Sequence, residues 1–179
     1  MARGIAKAIA GILTVVIGGT AYAVSQKDVV KNFSNETGLT QQEAQQYVES
    51  IPEDELASFD ELGAGHVVGG QDILDAAADL DCVNYQYEWQ TDTLSCDEGY
   101  AQLMEFGQSS VELGETLKIL GSESATPKDI IEAIRLIDRN NLSVDSEIMV
   151  MLLGESGVDE YIKSNLYNKA ILKTILESD

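Results

Sequence analysis

Two prolines, two cysteines, three phenylalanines, one tryptophan and one histidine are all that this chain of 179 residues carries of those types, and lysine and arginine together number only 11. Each scarcity excludes something. With so little proline, few positions force a break, and long helices have room to form. A lone His66 beside two cysteines that lack ligand spacing cannot build a zinc site, and a Cys–His dyad is ruled out if those cysteines are bonded to each other. Eleven cations against 31 carboxylates leave a net charge of −20, so the phosphate contacts that nucleic acid demands are missing. The stretch GAGHVVGG (63–70) has neither the lysine of a phosphate loop nor a strand before it, which speaks against nucleotide binding.

What is present is an ordinary apolar content of 44%, enough for one folded domain with a real core. The charge is unevenly spread. Residues 1–31 hold four basic groups against Asp28, whereas residues 32–126 hold twenty acidic groups and only Lys118 to oppose them. That excess reads as a solvated, self-repelling surface, or as a face for cations or a basic protein. Asp72, Asp75 and Asp79 share a helical face, but a regular helix does not wrap an ion in six or seven oxygens, so no metal site is assigned. No catalytic residue and no cofactor site stands out either.

The first 24 residues have Arg3 and Lys7, an apolar run, a Gly18-Gly19 break and small residues at Ala21 and Ala23. This is the layout of a secretory signal or, over residues 5–24, of a retained membrane helix. It predicts an exported protein, single-pass with its N-terminus cytoplasmic, and a polar stalk over 25–38. The acidic domain then spans 39–179. Its predicted fold is all-α: a compact helical bundle with a disulfide-closed aromatic loop, for which a short β-hairpin competes. Thr40 and Glu43 have capping-box spacing for a helix to about Ser50, and Pro52 fits the first turn of the next. Leu62, Val67, Ile73 and Ala77 carry helical spacing through the glycines at 63–70, which predict a break or a close helix crossing. A long helix ends near Gly121, Thr126-Pro127 opens another, Ser143 caps a short apolar segment stopped by Gly154, and Asp159 opens the last helix.

Residues 82–96, CVNYQYEWQTDTLSC, gather both cysteines, the tryptophan and two tyrosines. In an exported chain the pair Cys82–Cys96 is read as a disulfide, worth roughly 3 kcal/mol for a loop of this length. Tyr85, Tyr87 and Trp89 are then an interaction surface of the composition that interfaces favour. The functional expectation is a non-enzymatic, membrane-anchored structural or accessory subunit with protein partners in a larger assembly. The alternative is a soluble exported binding module for divalent cations or a basic protein; a hydrolase using paired carboxylates is the third reading.

Overall fold

The segment expected to cross a membrane folds instead as an antiparallel β-sheet. A computed structural model describes residues 6–9, 11–51, 58–80 and 95–178, and in it β1 (Ala6–Ile9), β2 (Ile12–Ile17) and β3 (Thr20–Ser25) pair in the order β1-β2-β3. The physical reason lies in the residue types. Ile12, Thr14, Val15, Val16 and Ile17 are β-branched, which stiffens them against a helix and suits a pleated surface. Leu13, Val15 and Ile17 alternate inward and are buried, with Val24 opposite Leu13 on β3. Gly18 and Gly19 make the two-residue turn, with φ of 59° and 75°, the left-handed values that a tight hairpin requires at both positions. Among the described residues no helix is long and apolar enough to cross a membrane. The single-pass anchor over 5–24, and the localisation inferred from it, are corrected accordingly.

The expected stalk is structured too. Residues 26–37 form α1 (Gln26–Thr37), which buries Val29, Val30 and Phe33 and ends at Gly38 with φ 72°. Phe33 stacks on Tyr47 of α2 (Gln41–Ser50), their ring centroids 4.9 Å apart. Helix α2 begins at the Thr40–Glu43 capping box, as its spacing predicts. Ser58 and Glu61 cap α3 (Phe59–Ala78), and Ser95 and Glu98 cap α4 (Cys96–Gly121), in the same reciprocal way. Pro127 opens α5 (Pro127–Val144), where the Asp129 carboxylate accepts from the Thr126 N–H and hydroxyl. Ser143 lies in the last turn of α5 rather than at a cap. The chain then forms α6 (Glu147–Ser178), one run bent at Gly154, whose φ of 75° and ψ of 159° only glycine adopts readily. The fold is therefore mostly helical, and the all-α expectation holds only at that coarse level.

The glycines of residues 63–70 sit inside a continuous helix, and two of them let α3 lie almost backbone to backbone against α4. A Cβ at Gly63 would stand 2.5 Å from the carbonyl oxygen of Gly114, and one at Gly70 would stand 2.7 Å from that of Gly107. The pairs run in opposite directions along the two helices, so the helices are antiparallel. Their heptad spacing, 63 and 70 against 107 and 114, keeps the small residues on one seam.

Two apolar clusters result. The larger gathers β2, β3, α1, α2, the C-terminal part of α4, most of α5 and the end of α6, around Phe33, Leu113, Ile137 and Ile171. The smaller, around Leu103, Phe106, Ile148 and Met149, closes the other end. Cys96 is buried in the first turn of α4 and is not a free thiol. Cys82, Tyr85, Tyr87 and Trp89 lie outside the described residues, and with them the expected disulfide loop, its rival hairpin and the aromatic surface.

Candidate functional site

Between the two apolar clusters runs a layer of polar side chains drawn from four helices. On α4, Ser109 and Ser110 separate Phe106 of the small cluster from Leu113 of the large one; on α5, Asn140 and Ser143 separate Ile137 from Val144. On α6, Tyr161 and Asn165 lie between Val158 and Tyr167, and on α3, His66 lies between Leu62 and Ile73. Buried polar groups are tolerated only when paired. Here the pairing is dense.

Asn140 is the hub. Its Nδ2 donates to the Ser109 and Ser110 hydroxyls, each at 2.9 Å, and its Oδ1 accepts from the Tyr161 hydroxyl at 2.7 Å and from Asn165 Nδ2 at 3.2 Å. Asn165 Nδ2 donates also to Asn141 Oδ1 at 2.9 Å. The Ser109 and Ser143 hydroxyls are 2.7 Å apart.

The network fixes the state of His66. Asn140 Oδ1 can only accept, so the Tyr161 proton points at it. His66 Nδ1, 3.2 Å from the Tyr161 oxygen, must then be the nitrogen that donates. Burial pushes the Tyr161 pKa up, against the pull of its hydrogen bonds, which keeps the proton in place. Burial also pushes the His66 pKa down to about 4, with a hydrogen bond from the ring to the Asn165 side chain acting the other way. At neutral pH the ring is therefore uncharged, protonated on Nδ1 and carrying its acceptor lone pair on Nε2.

His66 and Tyr161 line a cavity of about 590 Å³ between α3, α4 and α6, within the size range of small-ligand pockets. Its walls are mainly apolar: Leu62, Ile73, Phe106, Met149 and Leu153. The bend at Gly154 lets α6 contribute to it twice, with Met149 and Leu153 before the bend and Tyr161 after. The α3 lining extends from Glu61 to Ile73, about 18 Å at ~1.5 Å per residue, so the cavity is an elongated groove along three turns of that helix. Gly65 and Gly69 form part of its wall, and a Cβ at either would meet nothing within 4 Å among the described residues.

No family model, no curated protein and no solved structure matches this chain. The geometry of the groove must carry the functional reading alone. Among the described residues no group of three or more His, Cys, Asp or Glu side chains is placed to hold a metal ion. Of the candidate site residues singled out by sequence, His66, Asp72, Asp75, Asp79 and Cys96 are described; His66 and Asp72 meet at the groove, and Asp75, Asp79 and Cys96 do not line it. His66 gains its significance from Tyr161, 95 positions away. No local pattern announces that pairing. The open glycines at 65 and 69 were the legible signal, as glycines within an apolar helical repeat.

Proposed function

We propose that this chain is a non-catalytic binding module whose ligand lies in the groove along α3, a small molecule with an apolar body and one hydrogen-bonding group. The observation that carries this reading is the pair Gly65 and Gly69. Glycine in a helix interior costs about 1 kcal/mol relative to alanine. Gly63 and Gly70 earn their place by admitting α4, but among the described residues no atom beyond the backbone of α3 itself comes within 4 Å of a Cβ placed at Gly65 or Gly69. Their missing side chains keep the groove wide. The non-catalytic part is supported by the polar layer, whose groups satisfy one another rather than converging on a reacting atom. Of the functional expectations raised by sequence, the binding module is thus preferred to the structural subunit, with a small organic ligand in place of divalent cations or a basic protein.

The reading is tested by titrating 1-octanol into ¹⁵N-labelled protein. Saturable shifts are expected at the amides of Gly65, Gly69 and Gly70. In Gly69→Leu, which fills the groove from its own wall, the dispersed spectrum should persist and the saturable shifts vanish. Shifts that never saturate, or that survive unchanged in Gly69→Leu, would remove the groove as the site.

A further inference from the structure

We infer that the ligand of this groove is a cationic amine, its apolar body lying along α3 and its ammonium group at a carboxylate on the rim. The inference rests on the groove being the binding site and adds the chemical class of what it takes.

The polar composition of the lining is one-sided. Glu61 and Asp72 stand at the rim, and among the described residues no lysine or arginine lines the groove. The two carboxylates are eleven residues apart, three turns of α3, which places them on the same face and about 16 Å from each other along the axis. One therefore lies toward each end of the groove, with His66 between them.

Both carboxylates have acceptor capacity to spare. Glu61 uses Oε2 to accept from the Ser58 N–H at 2.9 Å and the Ser58 hydroxyl at 2.9 Å, while Oε1 has no hydrogen-bond partner among the described residues. The backbone hydrogen bond from Ser58, followed by that from its hydroxyl, holds the Glu61 pKa below the usual carboxylate value, so this group stays ionised at neutral pH. Asp72 is exposed and has no hydrogen-bond or ion-pair partner among the described residues.

The middle of the groove points the same way. A neutral imidazole supplies a lone pair and no positive charge, and the Tyr161 proton is already given to Asn140. An anionic ligand would find no cation to meet and two carboxylates to repel it. A neutral alcohol would gain the apolar walls and at most one uncharged donor's hydrogen bond. An alkylammonium gains both the walls and a charge partner at either end.

The test compares one skeleton with three head groups: octylamine, 1-octanol and octanoate, titrated separately at neutral pH and low salt. Octylamine should bind at least about threefold more tightly than 1-octanol, the scale of one exposed ion pair, and octanoate should be the weakest of the three. Raising the salt should narrow the gap between amine and alcohol. The double variant Glu61→Gln and Asp72→Asn should bring octylamine to the level of 1-octanol while leaving 1-octanol unchanged. Glutamine keeps the capping box with Ser58, so helix α3 is retained. Removing two of 31 carboxylates leaves the negative field of the whole molecule largely intact, so a lost preference belongs to the rim. If 1-octanol saturates but octylamine is no tighter, or keeps its advantage in the double variant, the amine inference is overturned and the groove stands. If none of the three saturates, the groove itself falls and the amine inference with it.

Discussion

His66 is the residue where burial, tautomer and site meet, and its titration reaches beyond the groove. In the unfolded chain a histidine takes up its proton near pH 6.5, whereas the folded protein withholds it until about pH 4. Between those values the unfolded state binds more protons, so stability falls as pH drops. The contribution is full above pH 6.5 and is lost progressively toward pH 4, roughly 3 kcal/mol in all. Chemical denaturation of the wild type and of His66→Gln at pH 7 and pH 4.5 isolates it, because other acid-sensitive groups are common to both. The wild type should lose more stability across that interval than the variant. Equal losses would mean that the ring titrates normally, and the tautomer argued from Tyr161 and Asn140 would lose its support.

At the scale of elements, the α3–α4 pair and the glycines of α3 yield opposite expectations for the same substitution. Gly63→Ala directs a methyl at the Gly114 carbonyl, backbone that can yield only if the helices part. Gly65→Ala meets none of the described residues and gains the helix propensity that glycine lacks, up to about 1 kcal/mol. Thermal unfolding should therefore place Gly63→Ala below the wild type and Gly65→Ala at or above it. A stabilised Gly63→Ala would refute the close seam. The helix boundaries that sequence makes legible share one property, a local cause. Thr40 with Glu43, and Thr126 with Pro127, announce their helices because a cap is made by residues three apart. The N-terminal hairpin was missed for a physical reason of the same kind. A membrane helix and a buried sheet are both strongly apolar, and mean hydropathy over residues 5–24 does not tell them apart. The period does: Leu13, Val15 and Ile17 recur every second residue, the β-branched neighbours favour extended backbone, and Gly18-Gly19 is a hairpin turn rather than a helix break.

At the scale of the molecule, charge that is in excess outside is balanced inside. Lys169 of α6, buried to 8% exposure, places its Nζ 2.6 Å from Glu36 of α1 and 2.6 Å from Asp138 of α5, while Lys173 holds the other Glu36 oxygen at 2.6 Å. Burial acts against the Glu36 carboxylate, but the hydrogen bonds and charges of Lys169 and Lys173 outweigh it and lower its pKa. That lowering contributes stability above the ordinary carboxylate pKa, and the contribution is lost as pH falls through the folded value. Lys169→Met leaves the half-exposed Asp138 without its cation and Glu36 with Lys173 alone, so a loss of about 1–2 kcal/mol is expected by denaturant unfolding at pH 7. An unchanged midpoint would show the cluster to be ornamental. None of this was legible along the chain, where Glu36 and Lys173 are 137 positions apart. The polar layer was hidden for the same reason. Serines and asparagines at helical spacing look like a solvated face until four helices turn those faces toward each other.

The first helix and the last are also joined by Asn32, whose amide donates to the Thr174 hydroxyl at 3.1 Å across 142 positions. Helix α6 packs on β3 as well as on α1. The hairpin and α1 leave the ribosome well before the surface that completes them. Until residue 174 has been synthesised, the inward faces of Val29, Phe33 and Val24 lack their final cover. The nascent chain therefore carries an open apolar edge for as long as the residues between the two helices take to make.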